Sequence, residues 1–132
     1  MIEAFCGIFL GEGNTFLLLK RGEKRTWNPG KWDLMGGDVQ EGEDPKAVLL
    51  RDARDKLNIR VKTIQARGDI VVGDEQDRIN RYIYVCTGDY SDIQRDPKKY
   101  SAYEWFYRDR MPPVGFVPGV LTILEKFQIV KV

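Results

Sequence analysis

The sequence predicts an α+β fold, with a mixed β-sheet between helices, in one domain spanning residues 1–132. Three observations carry this. Strand-like runs follow one another in groups, where a doubly wound parallel sheet would alternate strand and helix. Only two segments read as long helices. No repeat, low-complexity tract or Pro/Ser-rich linker divides the chain, whose 132 residues suit one modest core.

The elements follow in order. "IEAFCGIFL" (2–10) and "TFLLLK" (15–20) read as two strands joined by a turn at "GEGN". "RGEKRTWNPGK" is loop, dense in Gly, Pro and charge. "WDLM" is a short apolar piece running into Gly36–Gly37, which suit a tight turn with exposed carbonyls. Asp44 is a plausible N-cap and Pro45 a first helical residue, opening a helix to about Leu57. At about 100° per residue, Leu49, Leu50, Ala53 and Leu57 share one stripe that should face the core. Residues 59–66 and 69–73 read as two strands, "GDEQDR" as a turn and "INRYIYVCT" as a tyrosine-rich strand. A polar loop over 88–100 precedes the strand "AYEWFY". Pro112–Pro113 interrupt the chain, and Pro118 opens a last helix ending near Phe127.

Composition excludes several chemistries. There is no histidine, so there is no Ser-His-Asp triad, Cys-His pair or HExxH helix. Cys6 and Cys86 lie in apolar runs far apart and read as buried inert thiols. Chemistry must rest on carboxylates, lysine, arginine, tyrosine or a bound metal. The net charge of +1 gives no general field toward nucleic acid or membrane. No apolar run approaches the ~18 residues of a membrane span. With no secretion signal at the N-terminus, a cytoplasmic location is expected.

The predicted helix places Asp52, Asp55 and Lys56 at i, i+3 and i+4, beside the apolar stripe. Charge pattern alone is also met by a solvated face of ion pairs, with Arg51 one turn before Asp55. The Gly36–Gly37 carbonyls ahead of it could join the carboxylates around a hard cation such as Mg²⁺.

This stretch resembles the Nudix box, G-x5-E-x7-R-E-U-x-E-E-x-G-U, where U is bulky and apolar. Gly37, Glu43 and Arg51 fall on fixed positions at the right spacing. "GKWDLMGG" is similar to the family's GKWxLPGG lead-in, "TFLLLKRG" to its second strand and "AYEWF" to a later one. The resemblance implies an α/β/α sandwich. It also implies hydrolysis of a pyrophosphate bond in a nucleoside diphosphate linked to X, by metal-activated water. Asp52, Asp55 and the Gly36 carbonyl would hold Mg²⁺ or Mn²⁺. Glu43 and Arg51 would brace loop and helix. Arg21, Gly37 and Lys56 are candidate substrate contacts.

The departures from the pattern are several. The family's helix glutamates fall on Asp52, Asp55 and Lys56, and its glycine on Asn58. Gln40 stands where an acid is expected in the turn, Met35 for the proline of the lead-in, and Ala102 for a later glutamate. From Asp44 to Lys56 three acids (44, 52, 55) meet four bases (46, 51, 54, 56), so divalent binding should be weak. Lys56 either touches a substrate phosphate or ion-pairs with Asp52; the sequence leaves both open. A catalytically degenerate domain that binds a nucleotide or a protein is the alternative function.

Further candidates are weaker. Glu75, Asp77 and Glu104 could supply an extra carboxylate. Arg21, Lys24 and Arg25 could hold phosphates. Tyr82, Tyr84, Tyr103, Trp27 or Trp32 could stack on a base, although aromatics in strands more often pack.

Overall fold

The computed structural model describes residues 1–130. Its elements are β1 (Ile2–Gly11), β2 (Thr15–Arg21), β3 (Trp32–Asp33), β4 (Met35–Asp38), α1 (Pro45–Leu57), β5 (Arg60–Val72), β6 (Ile79–Asp89), β7 (Tyr100–Tyr107) and α2 (Val120–Lys126). The seven strands form one sheet. Strand β1 runs parallel to β6 and antiparallel to β4, while β2 pairs antiparallel with β3 and β7. The two groups meet where Leu10 and Gly11 pair with Phe16 and Thr15. One parallel pair among antiparallel ones makes the sheet mixed, as expected.

Successive strand side chains point to opposite faces. Phe5 and Phe9 of β1 and Leu17 and Leu19 of β2 therefore join Leu49, Ala53 and Leu57 of α1. Cys6, Ile8, Phe16 and Leu18 join Val120, Ile123 and Leu124 of α2 on the other side. The sheet is thus sandwiched between the two helices.

Helix α1 begins as its sequence dictates. The Asp44 side chain accepts from the Lys46 N–H at 3.2 Å and Pro45 takes the first turn. It ends at Asn58, which adopts a left-handed conformation at φ 55°, while the Ile59 N–H reaches back to the Ala53 carbonyl at 3.0 Å. Leu49, Ala53 and Leu57 are buried as predicted, but Leu50 is 39% exposed and Val48 takes the fourth core position. The stripe is rotated because α1 packs through Leu49 onto Gly7 of β1, where a Cβ would stand 3.2 Å from Leu49 Cδ1. That rotation also carries Asp52 to the buried side, at 6% exposure.

Two other expectations are corrected. Gly36 and Gly37 form strand β4, paired with Cys6 and Phe5, and the turn falls later, at Gly42 with φ 83°. The glycines serve close approach. A Cβ on Gly36 would meet the Phe5 carbonyl oxygen at 2.9 Å, and one on Gly37 would stand 3.3 Å from Asp52 Oδ2. Residues 59–66 and 69–73 belong to one strand, β5, because Arg67–Gly68 is a bulge within continuous pairing to β6. The last helix starts at Val120, two residues after Pro118, behind Gly119 at φ 95°.

Candidate active site

A cavity of about 800 Å³ opens between the N-terminal ends of β1 and β6, strand β4, helix α1 and the loops before β3 and β7. It brings together seven of the sequence candidates: Arg21, Gly36, Gly37, Glu43, Arg51, Asp52 and Lys56. Arg25, Trp27 and Asp77 also reach its wall.

On the α1 side, Glu43 and Arg51 meet at 3.6 Å, and Glu43 also accepts from the Gln40 N–H at 2.8 Å. This ties the loop after β4 to the helix. Both side chains are partly solvated, so the pair adds at most about 1 kcal/mol; its effect is to fix the loop. One turn on, Lys56 Nζ donates to Asp52 Oδ2 at 3.0 Å, and Arg51 Nε lies 3.4 Å from Asp52 Oδ1. Asp52, the acid packed against Gly37, is thus held by two cations.

Asp55 is not part of this assembly. It points outward, 54% exposed, and pairs with Arg54 at 3.2 Å. Glu75 and Glu104 are exposed and stand outside the cavity wall. Of the aromatic candidates only Trp27 lines the cavity. Trp32 packs edge-on to Phe106 at 5.2 Å, and Tyr84 and Tyr103 belong to the α1-side core. Tyr82 lines a neighbouring cleft.

Four residues that sequence reasoning passed over complete the walls. Asp33 and Arg81 form a buried pair at 3.4 Å, and Asp33 also accepts from the Leu34 N–H at 2.8 Å. Burial opposes the Arg81 charge, but Asp33 and Cys6 together outweigh it and hold the guanidinium above its ordinary pKa. A signal for both existed: each is a lone charge inside an apolar run. Tyr100 is buried, and burial first, then Asp33, pushes its hydroxyl up to about 12, so it stays protonated.

The fourth is Lys99, at the end of the polar loop before β7. Its neighbours are cations. Burial, then the Lys56 ammonium, then Arg25 lower its pKa, and Asp96 opposes them. Arg25 also lowers the pKa of Arg21, after burial. Among the described residues, neither Arg25 nor Lys99 has an acid within 4.0 Å. Two cations with no acid at ion-pair distance, beside a third whose acid is on its far side, suit an anion.

Comparison with known proteins identifies the family. Residues 2–127 match the model of the NUDIX domain, and the chain belongs to the Nudix family. A nucleoside triphosphatase, NudI of Enterobacter sp. (strain 638), is 34% identical over an 85-residue alignment that covers 61% of this chain and 60% of that protein. The MutT NUDIX hydrolase of Burkholderia pseudomallei superposes with a TM-score of 0.80 at 19% identity, covering 98% of each chain. The NUDIX domain of Shewanella oneidensis NrtR complexed with ADP ribose gives 0.78 at 16% identity, covering 97% of this chain and 86% of that one. These superpositions establish the fold.

Nudix hydrolases generally use divalent metals. The residues present here do not fit a resident ion. Among the described residues no three His, Cys, Asp or Glu side chains converge as a metal site. Of the expected ligands, Gly36 and Asp52 share the cavity, Asp55 is turned away, and Asp52 is already engaged by Lys56 and Arg51.

Proposed function

We propose that this chain is a Nudix hydrolase acting on the pyrophosphate bond of a nucleoside diphosphate linked to X. The observation that carries this reading is the convergence of Arg25, Lys56 and Lys99 in the cavity beside the box residues. A nucleotide's phosphate chain is the anion that such a cluster accepts, and cations placed there stabilise the charge that builds on the departing phosphate. The Enterobacter relative's activity as a nucleoside triphosphatase and the ADP ribose bound by the NrtR domain support a substrate of this class.

The roles divide among the chain's own residues. Lys56, Lys99 and Arg25 bind and orient the phosphates. The Glu43–Arg51 contact holds the loop after β4 in place. Trp27 offers a ring face on the wall for a base, its ring also lying 4.7 Å from the Arg21 guanidinium. Water is the nucleophile: Tyr100 stays protonated, and burial pushes the Cys6 thiol up to about 12. Magnesium or manganese binds weakly to the free protein, because Asp52 must first shed Lys56.

The test is a panel of nucleoside triphosphates, dinucleotides and nucleoside diphosphate sugars with Mg²⁺ or Mn²⁺, read as phosphate release. Release from at least one class is expected. Tight binding of a nucleotide with no release on the whole panel would instead identify a degenerate domain used for binding, the reading that the occupied Asp52 favours.

A further inference from the structure

Lys56, Lys99 and Arg25 come from three separate segments: the end of α1, the loop before β7 and the loop after β2. Their convergence is built. The Lys99 carbonyl accepts from the Gly22 N–H at 3.0 Å and from Arg25 Nη1 at 3.1 Å. One carbonyl thus latches two loops and fixes both basic residues relative to each other. The Asp96 carbonyl accepts from the Lys99 N–H at 3.0 Å, which tightens the same loop. Lys56 is held from the other side by Asp52 at 3.0 Å.

Lys56 and Arg25 stand close enough to Lys99 to add, after burial and against Asp96, to the lowering of its pKa, so the three cations repel one another. The cavity floor also carries Arg81, whose charge is balanced by Asp33. That arginine is 6% exposed, and its Nε has no hydrogen-bond partner. Lys56 also stands beside the one buried helix carboxylate, where an incoming divalent ion would have to sit. Charge that a metal would bring to a bound diphosphate is already present, covalently attached to the chain.

We propose that Arg25, Lys56 and Lys99 form a diphosphate clamp that binds a nucleotide's pyrophosphate group without a divalent cation. The proposal rests on the reading of the cavity as a nucleotide site and deepens it. Lysine ammoniums act on the phosphate oxygens as point charges, and the arginine contributes its planar fork. A divalent ion complexed to the free ligand takes some of the same oxygens and cancels part of the charge, so it competes with the clamp.

The experiment is calorimetric titration of the full chain with inorganic pyrophosphate and with ADP, in EDTA and in excess Mg²⁺. Binding in EDTA is expected, at least as tight as in Mg²⁺. Lys99→Met, which keeps the stem and removes the charge, should weaken it about tenfold or more, and Lys99→Arg should restore most of it. Binding that appears only with Mg²⁺, or that Lys99→Met leaves unchanged, overturns the proposal. The two readings fail separately. EDTA-resistant binding with no phosphate release on the nucleotide panel leaves the clamp standing and removes the hydrolase. Metal-dependent release with no pyrophosphate or ADP binding in EDTA does the reverse.

Discussion

Two acid–base pairs face the same cavity, and they are built differently. Asp33 and Arg81 sit on neighbouring regions of the sheet, 3.4 Å apart, with side chains 10% and 7% exposed. Asp52 and Lys56 sit one turn apart on α1 at 3.0 Å, but Lys56 is 27% exposed and borders Lys99. The first pair has nowhere to go: strands hold both partners, and both side chains are almost fully buried. The second joins a buried acid to a partly exposed lysine that also faces the proposed anion site. Ion pairs that look alike as distances therefore do different jobs, one holding the floor in shape and the other setting the charge of the site.

The largest expected effect breaks the first pair. Arg81→Leu leaves Asp33 buried without its partner and should cost about 3–5 kcal/mol, measured by denaturant unfolding. The double variant Asp33→Leu/Arg81→Leu should recover much of that loss, because both charges are then gone. A single variant as stable as the parent would mean that water reaches Asp33, and the contrast between the two pairs would vanish.

An intermediate effect comes from the second pair. Lys56→Glu exchanges the cation beside Asp52 for a carboxylate one turn away on the same helix. Calorimetry should then detect Mg²⁺ binding tighter than in the parent, together with loss of pyrophosphate affinity in EDTA. The parent itself should bind Mg²⁺ alone no better than weakly, outside the low micromolar range. If phosphate release on the nucleotide panel rises with the metal affinity, Lys56 limits catalysis. If it falls, Lys56 grips the substrate. A variant unchanged in metal affinity, pyrophosphate affinity and rate would place Lys56 outside the site.

The contrast also marks what the sequence could reveal. Local rules were legible. Asp44–Pro45 and Asn58 bound α1 because caps depend on the residues at the ends alone. The box spacing identified Glu43, Arg51, Asp52 and Lys56, which do share the cavity. Decisions made by distant neighbours were not legible. Glycine permits both a turn and a close approach, and only the Phe5 carbonyl pressed against Gly36 selects strand over turn. Helical spacing puts Leu50 beside Leu49 equally well, until Gly7 fixes which residue meets β1. Asp55 and Lys56 are adjacent, and the sequence treats them alike. The fold sends one to solvent and the other toward Lys99.

The smallest expected effect reads the second pair through pH. Lys99 has a lowered pKa, through burial, Lys56 and Arg25, against which Asp96 acts. An anion binds the protonated ammonium, so pyrophosphate affinity is complete below the lowered pKa and declines as pH rises through it. The decline should therefore begin at a lower pH than an ordinary lysine would give. Folding responds with the opposite sign. The protonated, crowded ammonium costs stability at lower pH, and that cost is relieved as Lys99 loses its proton. Lys56→Gln removes the first charged neighbour, so the decline in affinity should move to higher pH even as affinity at neutral pH falls. Titrations of parent and variant across the alkaline range, with chemical denaturation to verify that both stay folded, decide the matter. A midpoint that does not move between them would show that Lys56 and Lys99 do not sense each other, and the second pair would then be as closed to the anion site as the first.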